Sequence, residues 1–125
     1  KGLVVLLGVE DGDTKKDADY IADKVSGLRI FDDSEGVMNL SVSDIGGGIL
    51  SVSQFTLLAD ARKGKRPSYS KAARPEAAKE LYDSFNTKIE EKGITVGKGI
   101  FQAEMLVKIY NDGPVTILLD SKKTF

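Results

Sequence analysis

The stretch KGLVVLLGVE, Lys1 to Glu10, is a near-continuous apolar run bounded by glycines. A strand with water on one face alternates apolar and polar side chains, whereas one covered on both faces does not. The run therefore predicts a strand covered on both faces and central in its sheet. Working outward, turn residues Asp11 to Asp13 precede Thr14, which with Asp17 forms a capping box in its weaker aspartate form. Ala18, Ile21, Ala22, Val25 and Leu28 recur at helical spacing, predicting a helix from Lys15 to Val25 that ends near Gly27. LRIF reads as a short strand, DDSEG as a loop and VMNLSV as a strand. Triple glycine, Gly46 to Gly48, separates VMNLSV from ILSVSQFTLLA, and these two runs make a plausible hairpin pair. Pro75 suits the first position of a second helix. Along it Ala78, Leu81, Tyr82, Phe85 and Ile89 make an apolar stripe, and Glu76, Lys79, Glu80 and Glu90 lie largely on the other face. ITVGKGIF, EMLVKIY and VTILLD predict the last extended segments, and the tail SKKTF is polar enough to fray.

This order of elements predicts a mixed α/β protein of α+β character: mixed or barrel-like sheet layers with two helices packed on one side, not a doubly wound fold. At 125 residues the chain reads as a single domain, residues 1–125, large enough to bury a core without metal or disulfide. No apolar run approaches the roughly 20 residues that span a bilayer, and Lys1 to Glu10 lacks the flanks of a signal peptide. The expected setting is the cytoplasm, which the lack of cysteine fits.

There is also no histidine. That removes Ser-His-Asp and Cys-His nucleophile systems, thiolate chemistry and zinc sites built on Cys or His. Catalysis is left to hydroxyls, carboxylates, lysines, backbone amides or a group that the substrate brings. The acidic residues show no metal-ligand spacing, and Gly46 to Gly48 lacks the Lys-Ser/Thr ending of a phosphate loop. No cofactor or metal is expected. The net charge of −1 gives no general basic field for nucleic acid. Between Ala61 and Pro75, however, stand Arg62, Lys63, Lys65, Arg66, Lys71 and Arg74, with no acidic residue among them.

Three stretches have chemistry within reach. In ILSVSQFT, alternation places Ile49, Ser51, Ser53 and Phe55 on one face and Leu50, Val52, Gln54 and Thr56 on the other. The hydroxyls either satisfy neighbouring backbone or, at the strand end, face a ligand. The basic loop is either solvated or holds phosphates beside that strand end. In NDGPVTILLD, Asn111 to Asp120, Pro114 has no amide hydrogen. It either starts an edge strand after a turn or belongs to a rigid Gly-Pro element that meets a ligand.

SQFTL, Ser53 to Leu57, together with NDGPVT, Asn111 to Thr116, resembles the signature pair of the D-aminoacyl-tRNA deacylases, also called D-tyrosyl-tRNA deacylases. GLVVLLGV, RIFDDSEGVMNLSV, KGKRPSY and GIFQAEM resemble family segments in the same order, so the likeness covers essentially the whole chain. The resemblance implies a homodimer that hydrolyses the ester of D-aminoacyl-tRNA, and of mischarged glycyl-tRNA, while rejecting L-aminoacyl-tRNA. It implies that one subunit contributes Ser53, Gln54, Phe55 and Thr56, and that the other contributes Gly113 and Pro114 in cis form, whose carbonyls exclude an L side chain. Arg62, Lys63, Lys65 and Arg66 are then expected to meet tRNA. Amides near Phe55 and Thr56 are candidates for polarising the ester. Thr56 as nucleophile and water assisted by the neighbouring ribose hydroxyl are both open, the second preferred because no strong base stands near Thr56 in the sequence. Family members usually begin with a further segment of about 20 residues, the length of a strand and hairpin, so the chain is expected to lack that start. The rivals are an L-seryl-tRNA editing domain of the same fold, against which the intact SQFT and GPVT motifs argue, and a noncatalytic nucleic-acid-binding dimer.

Overall fold

The computed structural model describes residues 1–125. Strand β1 (Gly2–Leu7) leads to helix α1 (Lys15–Gly27), a two-stranded antiparallel ribbon of β2 (Phe31–Asp32) and β3 (Met38–Leu40), and strand β4 (Gly48–Ser53). A 3-10 turn (Phe55–Leu58), helix α2 (Pro75–Glu91) and strand β5 (Val96–Lys98) follow. The main sheet has the order β1-β4-β5 and both of its ladders are parallel, pairing Gly2 with Gly48 and Ile49 with Val96. Parallel neighbours need a crossover, and crossovers of one hand advancing in one direction put their helices on the same face. α1 and α2 pack against each other on that face. The result is a mixed α/β chain with two helices on one side, its parallel and antiparallel pairings in separate small sheets.

The helices form where spacing and caps predict them. The Thr14 amide donates to the Asp17 carboxylate at 2.8 Å, closing the start of α1. Pro75 occupies the first turn of α2, and Gly93, at φ 81°, follows its end. Ala22 and Val25 of α1 meet Phe85 and Ile89 of α2, with Ile49, Val42 and Ile94 completing the buried cluster. Leu3, Val5 and Leu7 pack on its edge. No helix is long and apolar enough to cross a membrane.

The strands depart from the sequence reading in four places. β1 is an edge strand; β4 is central. Odd residues of β1 meet the helices, whereas Val4 and Leu6 face away and stay about two-fifths open, at 39% and 41%. β3 pairs with β2 instead of making a hairpin with β4, because Arg29 ties to Asn39 and the Asp33 carboxylate accepts the Glu35 and Val37 amides, closing the intervening turn. After Ser53 the chain coils into the 3-10 turn and does not continue as a strand. From Gly99 to Asp120 no ladder forms, so EMLVKIY and VTILLD are not strands here. Apolar alternation marks a strand only where another strand supplies backbone partners.

The tail is also not free. Lys122 Nζ lies 2.7 Å from both the Glu10 and the Asp13 carboxylates. Those two anions raise its pKa well above that of an ordinary lysine.

Candidate active site

Ligands of open α/β sheets gather beyond the carboxyl ends of parallel strands. There β1 ends at Leu7 and β4 at Ser53, and the motif Ser53-Gln54-Phe55-Thr56 sits at this edge. Leu7 carbonyl accepts the Gln54 amide at 2.8 Å, which extends the ladder one residue beyond β4. Below the motif, the Ser51 carbonyl accepts Tyr82 Oη at 2.8 Å and the Gly99 amide at 3.2 Å, anchoring the strand to α2 and to the chain beyond β5. Ser51 itself is fully buried, so of the row Ile49, Ser51, Ser53 and Phe55 only the last two reach the strand end.

The turn leaves two donors unused. A helix start has no intrahelical acceptors for its first amides, and none of the loop and turn hydrogen bonds is donated by Phe55 or Thr56. Leu57 and Ala59 close the turn onto the Gln54 and Thr56 carbonyls at 3.2 Å and 3.1 Å. Gln54 Nε2 reaches Thr56 Oγ1 at 2.5 Å. The hydroxyl is thus held by a carboxamide, which takes up no proton at neutral pH, and no carboxylate, lysine or arginine hydrogen-bonds it. Phe55 is exposed and braced edge-on by Tyr69, with ring centroids 5.3 Å apart. Tyr69 ends the family-like segment KGKRPSY, but it lies among the basic residues and nothing in its spacing points back to Phe55.

The basic loop begins where the turn ends. Asp60 and Ser68 exchange both backbone hydrogen bonds, at 2.7 Å and 2.9 Å, closing residues 60–68 into a loop. Arg62 is forked onto the Asp60 carboxylate, Nε at 2.9 Å and Nη2 at 2.6 Å. These bonds, with the Arg62 amide, hold the Asp60 carboxyl well below the usual carboxylate range and raise the Arg62 pKa. Of the four expected contact residues, Lys63, Lys65 and Arg66 are exposed and form no salt bridge, whereas Arg62 is neutralised within the loop. Leu57, Leu58, Asp60, Arg62 and Lys71 line a shallow cleft of about 300 Å³ between turn and loop.

Gly113 and Pro114 make no hydrogen bond to this edge. Their peptide bond is cis, and both residues are exposed. Asn111 frames the element, Nδ2 donating to Thr116 Oγ1 at 3.1 Å and Oδ1 accepting the Val115 amide at 3.3 Å. No hydrogen bond joins it to Ser53, Gln54, Phe55 or Thr56 of the same chain.

Fold and site together describe an α/β chain that offers polarising amides and a held hydroxyl beside a basic loop, with no titrating nucleophile at the strand end. The model of the family described as D-Tyr-tRNA(Tyr) deacylase matches residues 1–120. Proteins named D-aminoacyl-tRNA deacylase from Koribacter versatilis and Clostridioides difficile are 60% and 59% identical over 125 residues, which is 100% of this chain and 84% of each relative. Among solved structures, the c-Myc DNA Unwinding Element Binding Protein superposes with a TM-score of 0.84 at 39% identity, over 91% of this chain and 78% of that one. A probable eukaryotic D-amino acid tRNA deacylase, at 18% identity and a TM-score of 0.57, shares the fold over 74% of this chain and 54% of its own. The chain belongs to the D-Tyr-tRNA(Tyr) deacylase family.

Proposed function

We propose that this chain hydrolyses the ester between a D-amino acid and the ribose of tRNA, releasing the free amino acid and intact tRNA. The observation that carries the reading is the pair of unused amides of Phe55 and Thr56 at the end of β4. Aimed at the ester carbonyl, they stabilise the charge that grows on its oxygen as water adds. The bond between the former carbonyl carbon and the ribose oxygen then breaks, and the proton from water ends on that ribose oxygen. Thr56 Oγ1, held by Gln54, orients substrate or water, and the neighbouring ribose hydroxyl assists the attack. Glycyl-tRNA charged on the wrong tRNA fits the same site, since glycine has no side chain to reject. No cofactor is part of this scheme, and its setting is the cytoplasm, where charged tRNA is used.

Discrimination is assigned to a homodimer. Gly113 and Pro114 are exposed and unconnected to the turn in their own chain, which suits a role at a partner's site, where their carbonyls would leave no room for an L side chain. Lys63, Lys65 and Arg66 supply unpaired positive charge for the tRNA backbone. The test is release of tyrosine from D-tyrosyl-tRNA with L-tyrosyl-tRNA left intact; equal hydrolysis of both, or of neither, overturns the reading. Similarity to a protein named for binding a DNA unwinding element favours a second reading, a noncatalytic nucleic-acid-binding dimer that uses the same loop. Salt-sensitive binding to duplex DNA without deacylation is its signature.

A further inference from the structure

We infer that Gly8 is a positioning residue for the Gln54 to Thr56 turn, and that its missing side chain sets where the Phe55 amide points. The activity arm of the inference rests on the proposed hydrolysis; its structural arm does not. Gly8 directly follows β1 and is not in the left-handed region, so backbone conformation does not demand glycine there. Space does. A Cβ at position 8 would lie 2.6 Å from Leu58 Cδ2, 3.1 Å from Leu57 Cβ and 3.2 Å from the Gln54 carbonyl oxygen. All three atoms belong to Gln54 or to the 3-10 turn it caps.

The consequence follows from peptide planarity. Gln54 oxygen and the Phe55 N–H belong to one rigid peptide unit, so a push on the oxygen turns the donor. The unit before it cannot follow, because the Gln54 amide is fixed to the Leu7 carbonyl at 2.8 Å. One plane is held and the next is pushed, so the strain is released as rotation of the Phe55 amide. A near contact of this kind is absent at Gly97, where a Cβ would meet Leu50 Cδ1 at 3.5 Å. At Gly48 a Cβ would meet the Thr95 carbonyl at 3.2 Å, in the same sheet but away from the turn. Gly48→Ala therefore serves as a steric control.

The test uses Gly8→Ala, Gly48→Ala, Leu58→Ala and the double variant Gly8→Ala/Leu58→Ala, each checked for folding by thermal melting. Gly8→Ala should lower kcat for D-tyrosyl-tRNA by about tenfold to a hundredfold while KM changes by less than about twofold. Gly48→Ala should leave kcat near that of the parent. The double variant, relieved of the closest contact, should recover part of the loss, a coupling that independent sites do not show. Amide chemical shifts of Phe55 and Thr56 should move in Gly8→Ala and not in Gly48→Ala, whether or not the parent turns over any substrate. Unmoved shifts, an unchanged kcat, or equal losses in the two alanine variants would overturn the inference. If Gly8→Ala does not fold, the double variant is compared with Leu58→Ala, and equal kcat and equal Phe55 shifts in those two overturn it as well.

Discussion

Thr56 is the residue on which the chemistry divides. Its hydroxyl is met by Gln54 Nε2 at 2.5 Å, and a carboxamide cannot take the proton that a nucleophilic hydroxyl must lose. Thr56→Ala should therefore keep activity within about tenfold of the parent, measured as kcat on D-tyrosyl-tRNA, whereas loss of several orders of magnitude would make it the nucleophile. The residues of this site were only partly legible in the sequence. Ser53 to Thr56 gained meaning through a second motif far along the chain; alternation alone left their hydroxyls equally suited to local hydrogen bonds. The pairing of Arg62 was not legible either, because Asp60, its partner, stands just outside the basic stretch. Charge counting along a chain does not see a side chain folding back two residues.

Among the elements, the loop closed by Asp60 and Ser68 carries a prediction about pH. The Asp60 carboxyl is depressed by its bonds to Arg62, so the stabilisation it provides is present above the ordinary carboxylate range, near pH 4. It is lost progressively as pH falls from there through the lower folded value. Ser68 amide protection, measured by hydrogen exchange and corrected for intrinsic rate, should be the same at pH 5 as at pH 7. Asp60→Asn should bring that protection down toward that of an open loop at both pH values; protection in Asp60→Asn equal to that of the parent would show that the pair does not hold the loop. Elements with local signals were the legible ones. The capping box at Thr14, the proline at Pro75 and the apolar stripes place α1 within a turn of its observed ends and α2 at its observed start. Strand partners were not legible, because a ladder is chosen by distant residues: β4 pairs with β1 and β5, not with the nearby β3. The run Lys1 to Glu10 is nearly all apolar, yet Val4 and Leu6 face away from the helices and stay about two-fifths open, so composition alone misplaces β1 at the centre.

At the scale of the whole molecule, apolar side chains lie open on more than one surface. Val4, Leu6 and Leu50 are 39%, 41% and 37% exposed on the sheet, and Leu106, Tyr110 and Leu118 are 85%, 93% and 69% exposed beyond it. Exposed apolar surface on this scale marks contact with another molecule, and the homodimer proposed above would supply one. If the site is shared between copies, specific activity on D-tyrosyl-tRNA should fall on dilution in step with dissociation seen by analytical ultracentrifugation. Activity per chain that holds constant into the monomer range would place the whole site in one subunit.

The threading of β4 between β1 and β5 has a consequence for how the protein comes together. Each parallel ladder, Gly2 to Gly48 and Ile49 to Val96, encloses more than a third of the chain. Neither can begin as a hairpin, and each must meet the entropy of closing a long loop before its first hydrogen bond forms. The helix within each loop shortens the search only once it has docked. The central strand, and with it the strand end that carries Ser53 to Thr56, is therefore among the last parts of the molecule to find its partners and cannot be built by any local segment alone.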